Sequence, residues 1–349
     1  MKIFVTGGSG FIGSNFIHFQ INQKNKIFNF DKLTYSSSIE SLSSIQNNPY
    51  YMFKQGDIAI ASNLEDAVKF FKPNIIINFA AETHVDRSID GPKDFIQTNI
   101  FGTYNLLQVS LNYYKSLNLK EKKRFKLIHI STDEVFGTLD DKGFFNENTP
   151  YDPSSPYSAS KASSDHLVRA WNKTYDLPVI ITNCSNNYGP YQFPEKLIPL
   201  MIINAMEKKK LPIYGKGNNI RDWLHVFDHC RAIDIIIQNG KLGSSYIIGG
   251  NCEKTNLDIV NMICDIFDKK FKSNNFKHKN LINFVDDRPG HDYRYAVDYS
   301  KIKNELKWEP EISFKKGLAS TIDWYLNNDS WWKKIQQTKY NQKRLGLLK

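Results

Sequence analysis

The sequence predicts an α/β protein built on a doubly wound parallel sheet, and three observations favour this fold class. Residues 2–6 form a short apolar strand that runs into a glycine-rich turn and then a helical stretch. Residues 74–81 and 125–130 are largely apolar and do not alternate, as a strand buried on both faces requires. Helical segments separate these runs, as expected when helices cover a parallel sheet.

Length and composition are those of a globular protein of one or two domains, with 349 residues and 23% charged side chains. The net charge of +10 is uneven, because six basic residues and no acid follow Trp331: Lys333, Lys334, Lys339, Lys343, Arg344 and Lys349. Neither this cluster nor the basic run at residues 120–126 is interleaved with aromatic residues for base stacking. We therefore expect no nucleic-acid partner, whereas a small anionic substrate would be attracted.

The cysteines at positions 184, 230, 252 and 264 show no C-x-x-C spacing, so we expect reduced thiols and no metal site. The chain begins directly with a strand, which leaves no room for a signal peptide. An apolar run of about 20 residues, the length that spans a bilayer, is absent from the sequence. These features predict a cytoplasmic protein with no membrane partner.

Gly7, Gly10 and Gly13 follow the first strand in the pattern G-x-x-G-x-x-G and lead into a predicted helix over residues 11–21. Glycines here let the backbone turn tightly and approach a pyrophosphate, and the helix N-terminus offers unpaired N–H groups to the phosphates. A lone glycine motif is a weak signal, but its place between the first strand and a helix is typical of dinucleotide sites. The sequence therefore predicts a Rossmann-type cofactor unit.

Asp31 ends the second predicted strand, residues 26–30, at the distance where an acid binds the adenosine ribose hydroxyls. A carboxylate there repels a 2′-phosphate, so NAD is favoured over NADP. Lys32 weakens this preference, since a cation accommodates a phosphate. The alternative role for Asp31 is a cap at the strand end.

Asp57 follows another short strand and either reaches the adenine or caps a helix predicted over residues 62–71; its spacing does not separate these roles. Ala80 and Ala81, at the end of the next strand, permit the close approach of a flat ligand. The charged residues that follow are either site groups or a structural ion pair with a surface histidine: His84, Asp86 and Arg87.

Thr132, Asp133 and Glu134 come directly after the apolar run at residues 125–130. Ligands of open α/β sheets bind just beyond the carboxyl ends of the strands, so a hydroxyl and two carboxylic acids there are placed for chemistry. A polar turn in which Thr132 and Asp133 serve as caps is the alternative.

Tyr157 and Lys161 lie four residues apart in a helix that the Pro-Ser-rich segment 153–156 introduces, so their side chains share one helix face. A tyrosine with its ordinary pKa of about 10 is a poor base at neutral pH, and a nearby ammonium favours the phenolate. The Y-x-x-x-K pattern alone is weak evidence for a functional site. Together with the glycine motif and the polar strand end, it favours a functional pair over an ordinary helical Tyr and Lys.

These motifs identify the chain as similar to the extended short-chain dehydrogenase/reductases, and among them to the dTDP-glucose 4,6-dehydratase family, over nearly its whole length. The segments that carry the resemblance are residues 6–13, 31–34, 80–88, 131–137, 155–161, 183–190, 193–197, 221–223 and 287–291. Relatives that epimerise or decarboxylate nucleotide sugars usually lack the Asp-Glu pair, and GDP-mannose dehydratases typically have Ser at position 133. Phe136 and Thr83 depart from the usual Tyr and Ser.

The resemblance implies three groups of site residues. The catalytic residues are Thr132, Asp133, Glu134, Tyr157 and Lys161. NAD, tightly bound and regenerated in each turnover, is expected to contact Gly7, Gly10, Phe11, Ile12, Gly13, Asp31, Lys32, Leu33, Thr34, Asp57, Ile58, Ala80, Ala81, Thr83, Thr98, Tyr157, Lys161 and Asn187. The nucleotide-sugar substrate is expected to contact Thr83, His84, Thr132, Asn186, Lys196, Leu197, Pro212, Ile213, Tyr214, Arg221, Asn256, Arg288 and His291, with Arg221 and Arg288 on its pyrophosphate.

The implied activity is that of a hydro-lyase in deoxysugar biosynthesis, for example of dTDP-rhamnose. It converts dTDP-glucose to dTDP-4-keto-6-deoxyglucose and water. Tyr157 and Lys161 would assist oxidation at C4, Thr132 would hold the C4 oxygen, Glu134 would take the C5 proton and Asp133 would protonate the departing C6 hydroxyl. A nucleotide-sugar 4-epimerase or decarboxylase, and a catalytically silent NAD-binding regulator, are the competing hypotheses.

We expect two interleaved domains, an NAD-binding Rossmann domain of residues 1–185 plus about 225–250 and a smaller α/β substrate-binding domain of residues 186–224 plus about 251–349. The resemblance also implies a homodimer, with the helices near residues 101–113 and 158–169 forming a four-helix interface.

Overall fold

The computed structural model describes residues 1–287 and 290–340. Its strands are β1 (Lys2–Thr6), β2 (Lys26–Asp31), β3 (Tyr51–Gln55), β4 (Ile75–Asn78), β5 (Lys126–Thr132), β6 (Val179–Cys184), β7 (Asn186–Tyr188), β8 (Leu211–Tyr214), β9 (Ile220–His225), β10 (Ser245–Ile248), β11 (Glu253–Thr255) and β12 (Ile282–Val285). Its α-helices are α1 (Phe11–Asn22), α2 (Ala61–Phe71), α3 (Val85–Asp90), α4 (Lys93–Phe95), α5 (Thr103–Ser116), α6 (Leu119–Lys122), α7 (Pro156–Tyr175), α8 (Leu197–Met206), α9 (Val226–Asn239), α10 (Asn256–Lys270), α11 (Ser300–Leu306), α12 (Phe314–Asn327) and α13 (Asp329–Thr338). Short 3₁₀ helices and one π-helical segment complete the described elements: Ile39–Ile45, Ile96–Gly102, Asp133–Phe136 and His278–Leu281.

The main sheet has seven strands in the order β3-β2-β1-β4-β5-β6-β10, and all its neighbouring pairs are parallel. The predicted doubly wound parallel sheet is confirmed. Strand order reverses direction between β1 and β4, so the loops after these strands diverge and leave a crevice at the carboxyl edge of the sheet.

Both faces of this sheet are covered, which explains why its strands do not alternate with polar residues. Along β1, Ile3 and Val5 pack into one core with helices α1, α9 and α11, while Phe4 points into a second core with α2, α5 and α7. Side chains of adjacent strand residues point to opposite faces, so each face needs its own apolar set. This two-sided burial fixes the register that aligns the strand ends.

A second group of elements lies outside the main sheet. Strand β9 pairs in parallel with β7 and antiparallel with β11, and β8 pairs in parallel with β12. Helices α8, α10, α12 and α13 bury apolar side chains here in a third core that includes Trp332, which is 1% exposed. Strand β10 lies between β9 and β11 in the sequence, yet it pairs with β6 of the main sheet.

Strand β4 ends at Asn78, three residues earlier than the sequence suggests. Its pairing with β1 stops at Thr6 and Asn78, where the backbone of Gly7 crosses close to Ala80. Phe79 continues with one hydrogen bond to the Thr6 carbonyl, and the chain then leaves the sheet. Ala80 and Ala81 consequently lie in a loop at the sheet edge.

Candidate active site

Two adjoining cavities open at the carboxyl edge of the main sheet. The first, here called the cofactor cavity, is lined by the glycine-rich turn and by the ends of β2, β4, β5 and β6. The second, the substrate cavity, lies between the main sheet and the third core. Four residues line both cavities and mark their junction: Glu134, Asn186, Glu195 and Lys196.

The glycine-rich turn is shaped so that a backbone, rather than side chains, faces the cofactor cavity. Gly7 has a φ of +69°, and a Cβ there would lie 2.5 Å from the Ala80 nitrogen. A Cβ at Gly13 would lie 2.5 Å from the Gly7 carbonyl oxygen. Only glycine fits either position, and the space that remains faces the N-terminus of α1, where a pyrophosphate is stabilised by free N–H groups. These residues therefore fit a dinucleotide.

Asp31 lies at the end of β2 and is 5% exposed. Its carboxylate accepts hydrogen bonds from the backbone N–H groups of Ser9 (2.8 Å) and Leu33 (2.7 Å), so it shapes the turn as well as lining the cofactor cavity. Burial raises the pKa of Asp31. The Nζ of Lys32 lies 2.8 Å from Asp57 Oδ2, so the charge of this lysine is balanced at the site.

Asp57 combines the two roles that the sequence left open. Its Oδ1 accepts a hydrogen bond from the Ala59 N–H at 2.8 Å, which caps the turn before α2, and the residue also lines the cofactor cavity. Of the other predicted cofactor contacts, Leu33 is the one that does not line this cavity. It has a left-handed backbone with a φ of +59° and is held by Asp31.

Thr132, Asp133 and Glu134 stand where β5 meets a 3₁₀ turn. The Thr132 hydroxyl accepts a hydrogen bond from the Glu134 N–H (3.2 Å) and donates to Asp133 Oδ1 (3.3 Å). Thr132 therefore caps the turn, whereas Asp133 does not, and all three residues also line the cofactor cavity. Asp133 is 2% exposed, and its Oδ2 has no hydrogen-bond partner.

Burial raises the pKa of Asp133 well above its usual range, and the neighbouring Glu134 charge adds to the shift. Arg221 opposes this effect without cancelling it. A raised pKa favours the protonated form of a carboxylic acid, so this environment suits Asp133 as a proton donor.

Helix α7 begins with Pro156 at its first position, and the Ser155 and Ser158 side chains each bond the other's backbone N–H. This capping box fixes the helix start, so that Tyr157 and Lys161 both face the carboxyl end of β5. The Lys161 Nζ donates to the Ile130 carbonyl oxygen at 2.8 Å. Both residues are buried and line the cofactor cavity, which brings the predicted catalytic set together.

The pKa of Tyr157 differs from the sequence expectation, in which Lys161 lowers it. Burial raises this pKa well above 10, and the Glu134 charge raises it further. The Thr132 hydroxyl works in the opposite direction by hydrogen bonding. In this cavity the desolvation of the phenolate therefore outweighs the attraction of one buried ammonium.

The substrate cavity is lined by most of the residues that the resemblance assigns to the nucleotide sugar: His84, Asn186, Lys196, Leu197, Pro212, Tyr214, Arg221, Asn256 and His291. Thr83 and Thr132 line the cofactor cavity instead. Ile213 lines neither cavity, because its side chain is 1% exposed in the third core. Arg288 lies outside the described residues.

Arg221 is held rigidly by backbone oxygens. Its Nη1 donates to the carbonyls of Ile220 (2.8 Å) and Tyr293 (3.3 Å), and its Nη2 donates to the carbonyl of Asp292 (2.9 Å). The guanidinium also lies 4.1 Å from the centre of the Tyr295 ring. This preorganised cation in a cavity wall suits an anionic group.

The charged residues after β4 divide between structure and site. The His84 Nδ1 accepts from the Arg87 N–H at 3.4 Å and caps α3, and the Arg87 side chain pairs with Glu195 at 3.3 Å. His84 and Asp86 line the substrate cavity, whereas Arg87 lines neither cavity.

Sequence reasoning missed several residues that line the cavities: Ser36, Ser37, Glu82, Cys184, Glu195 and Tyr295. Glu195 lies at the junction of the two cavities. It belongs to the segment 193–197 that carries the resemblance, but the sequence assigns it no role of its own. Tyr295 stands outside every quoted motif, so the sequence held no signal for it. Phe136 is 4% exposed and packs on the rings of Phe145 and Tyr151.

Within residues 1–287 and 290–340, no group of three or more His, Cys, Asp or Glu side chains is arranged to hold a metal ion. In the same residues, every helix is too short or too polar to span a bilayer. The four cysteines are free thiols, three of them buried.

Comparison with known proteins agrees with this geometry. The family model described as GDP-mannose 4,6 dehydratase matches residues 4–321. The dTDP-glucose 4,6-dehydratase of Escherichia coli is 51% identical over 363 aligned positions that cover 100% of both chains. Among solved structures, the dTDP-glucose 4,6-dehydratase of Bacillus anthracis in complex with NAD is 49% identical, with a TM-score of 0.86 and coverage of 96% of this chain and 99% of that one. The Streptomyces venezuelae enzyme of the same name, also with NAD bound, is 40% identical, with a TM-score of 0.88 and coverage of 96% and 100%.

The likeness extends over nearly the whole chain. The chain belongs to the dTDP-glucose 4,6-dehydratase family of extended short-chain dehydrogenase/reductases.

Proposed function

We propose that this protein is a hydro-lyase that converts dTDP-glucose to dTDP-4-keto-6-deoxyglucose and water, with NAD held throughout the turnover. One observation carries the proposal: Glu134 lines both cavities and stands beside Asp133, a buried acid whose pKa burial raises well above its usual range. An acid and a base at the junction of a cofactor site and a substrate site are what a dehydration between neighbouring carbons needs.

The first task of the site is to make C5 of the sugar acidic. A ketone at C4 does so, because the carbanion formed at C5 is stabilised by the adjacent carbonyl. Tyr157 accepts the proton of the C4 hydroxyl as a phenolate, which the Lys161 ammonium stabilises, and becomes the neutral phenol. Thr132 holds the C4 oxygen. The contact between the Thr132 and Tyr157 hydroxyls supports this arrangement.

Glu134 and Asp133 then divide the elimination between them. Glu134 removes the C5 proton and later returns a proton to that carbon. Asp133 gives its proton to the departing C6 hydroxyl, which leaves as water. The environment supports this division, since burial raises the pKa of Asp133 and favours its acid form, while the less buried Glu134 faces both cavities.

NAD, when bound, supplies the oxidising power by accepting a hydride from C4 and returning it to C6. Gly7, Gly10 and Gly13 would face its pyrophosphate, and Asp31 its adenosine ribose. The Asp31 carboxylate and the ion pair that balances Lys32 favour NAD over NADP.

The substrate would lie in the second cavity with its pyrophosphate on Arg221. The side chains of Lys196, Leu197, Pro212, Tyr214 and Asn256 are exposed to this cavity and would surround the nucleotide. Asn186, at the junction of the cavities, would contact the sugar.

Other features stay predictions from the sequence and the resemblance. We propose the division into an NAD-binding domain of residues 1–185 plus about 225–250 and a substrate-binding domain formed by the rest, supported by the return of β10 to the main sheet. The homodimer with a four-helix interface, the cytoplasmic location and the role in deoxysugar biosynthesis belong to the same proposal.

Product analysis with a panel of nucleoside diphosphate glucoses tests the activity. We expect a 4-keto-6-deoxy sugar from dTDP-glucose and slower turnover with other nucleobases. A C4 epimer without water loss would identify a 4-epimerase, and an unchanged substrate would favour the silent NAD-binding regulator. Glu134→Gln tests the mechanism, because it should allow C4 oxidation and stop elimination. Near-normal water release by this variant would refute the role of Glu134.

A further inference from the structure

A buried polar cluster lies directly behind Lys161, and the proposed reaction does not use it. Asp165 is one helical turn after Lys161 on α7, and His129 is in the middle of β5; both are wholly inaccessible to solvent. Residues four apart lie on the same helix face, so the Asp165 carboxylate and the Lys161 ammonium share one buried space. We call Asp165, His129, Tyr151 and Asn183 the rear cluster.

The carboxylate of Asp165 is the centre of the rear cluster. Its Oδ2 accepts hydrogen bonds from the Tyr151 hydroxyl (2.8 Å) and the Asn183 amide (3.3 Å). Its Oδ1 lies 3.3 Å from the Nε2 of His129. The Arg169 guanidinium donates to the Tyr151 hydroxyl at 2.7 Å and so reaches the carboxylate through that phenol.

Lys161, as an ammonium, balances the charge of the Asp165 carboxylate. Burial lowers the pKa of His129, and the Lys161 charge lowers it further, so the imidazole is neutral. Burial alone would raise the pKa of Asp165, but the contacts with His129, Lys161 and Tyr151 hold it below its usual value. A buried carboxylate requires a cation close by. The Lys161 charge acts on Asp165 directly, whereas Arg169, on the same helix face, reaches it through the Tyr151 hydroxyl.

The rear cluster is also joined to the catalytic strand end. The Asn183 amide that donates to Asp165 donates as well to the Thr132 carbonyl oxygen, at 3.1 Å. Lys161 itself donates to the carbonyl of Ile130, two residues before Thr132. A change at Asp165 is therefore transmitted to Lys161 by charge and to β5 by hydrogen bonds.

We propose that Asp165 is a positioning residue that keeps Lys161 in its ammonium form and oriented toward β5, and so sets the alkaline limit of C4 oxidation. The proposal rests on the function proposed above and names a residue outside the predicted catalytic set. Without this carboxylate, the buried Lys161 loses its proton at lower pH and no longer stabilises the phenolate of Tyr157.

The other titratable groups around Lys161 do not replace Asp165. His129 faces it from β5 as a neutral ring, and Cys184 faces it from β6 as a thiol whose pKa burial raises to about 12. Tyr157 lies one turn earlier on α7, with a pKa raised by burial. Asp133 and Glu134, from the turn after β5, act on Tyr157 and Cys184.

Asp165→Asn tests the proposal, because it removes the charge and nearly preserves the shape. We expect the alkaline limb of the kcat profile to move toward neutral pH by about one unit or more. Tyr151→Phe is the matched control: it removes one hydrogen bond to Asp165 and keeps the charge, so the limb should not move. An equal loss of kcat at every pH, with the limb in place, would show that Asp165 is merely structural and overturn the proposal.

A double-mutant cycle in urea tests the same coupling without any activity. Lys161→Met should destabilise the full chain strongly on its own and much less in the Asp165→Asn background, because the second change removes the unpaired carboxylate. Additive effects of the two changes, or a double variant that does not fold, would overturn the proposal. A wild-type protein that makes no keto sugar would refute the proposed function and leave this coupling intact.

Discussion

Replacing Asp133 by Asn removes the proton that we assign to the departing C6 hydroxyl and leaves the shape of the site nearly unchanged. The Asn Oδ1 can still accept the hydrogen bond that Thr132 donates at 3.3 Å. The residue is 2% exposed and its Oδ2 has no hydrogen-bond partner to lose, so we expect the fold to persist. The expected defect is therefore chemical.

The size of the defect follows from what a positioned acid contributes. General acid catalysis accelerates a step by about 10²–10⁴-fold, which corresponds to about 3–5 kcal/mol of barrier. We expect the elimination of water to slow by this factor, with C4 oxidation little affected. Wild-type elimination should also persist well above the pH at which an ordinary aspartic acid ionises, because burial raises the pKa of Asp133.

The assay follows both steps in one mixture. Reduced nicotinamide is read by its near-ultraviolet absorbance, and the sugar is identified by mass after quenching. Asp133→Asn should accumulate C4-oxidised sugar together with reduced cofactor and form little 4-keto-6-deoxy product. Asp140→Asn, an exposed carboxylate nearby, is the control and should behave as wild type. Water release within a few-fold of the wild-type rate would refute the assignment of Asp133 as the acid.

Three further predictions concern the cofactor cavity, the substrate cavity and the core. Gly7→Ala should weaken NAD binding at least about tenfold in calorimetry, because φ at Gly7 is +69° and the added Cβ would lie 2.5 Å from the Ala80 nitrogen. An unchanged affinity for NAD would contradict the role of the glycine-rich turn in holding the cofactor. Arg221→Lys should raise KM about tenfold in steady-state kinetics and leave kcat nearly constant, because an ammonium lacks the planar, two-pronged guanidinium that the Asp292 carbonyl helps to hold. A fall in kcat alone would contradict a binding role for Arg221. Burial lowers the pKa of His229 from 6.5 to about 3, so the unfolded chain binds a proton that the folded protein excludes. The free energy of unfolding should fall by up to about 1.4 kcal/mol per pH unit as pH drops below about 6.5, and His229→Gln should remove this part of the slope in urea titrations at several pH values.

The main sheet was predictable because its signals are local. Non-alternating apolar runs follow from burial on both faces, as the opposite packing of Val5 and Phe4 shows. The glycine-rich turn was predictable because Gly7 has no room for a Cβ. The residues that we propose as catalytic were predicted from their place after a strand or at helical spacing, and the structure brings all of them to one cavity.

Two of the predicted site residues, Ile213 and Leu33, do not line the cavities, because neighbouring residues of one sequence segment need not share a role. The resemblance assigns Ile213 to the nucleotide pocket together with Pro212 and Tyr214. Side chains alternate along β8, so Pro212 and Tyr214 face the substrate cavity while Ile213 packs in the core. The period of two along a strand would have separated them. Leu33 belongs to the segment 31–34 that carries the resemblance, but its left-handed backbone turns it away from the cofactor cavity.

Other features could not be read from the chain because they arise from long-range contacts. The raised pKa of Tyr157 depends on desolvation by elements that are distant in sequence, which outweighs the single lysine four residues away. The contact of His129 with Asp165 joins β5 to α7, 36 positions apart in the printed sequence. Neither residue has a spacing that distinguishes it from a polar residue in solvent.

The central claim is that one hydride leaves C4 and returns to C6 of the same sugar while water is lost between C5 and C6. The most direct test uses dTDP-glucose deuterated at C4, turned over in ordinary water, with the product read by NMR. We expect the deuterium at C6 of the 4-keto-6-deoxy product and a solvent hydrogen at C5. Deuterium that stays at C4, or that is lost to water, would contradict the account.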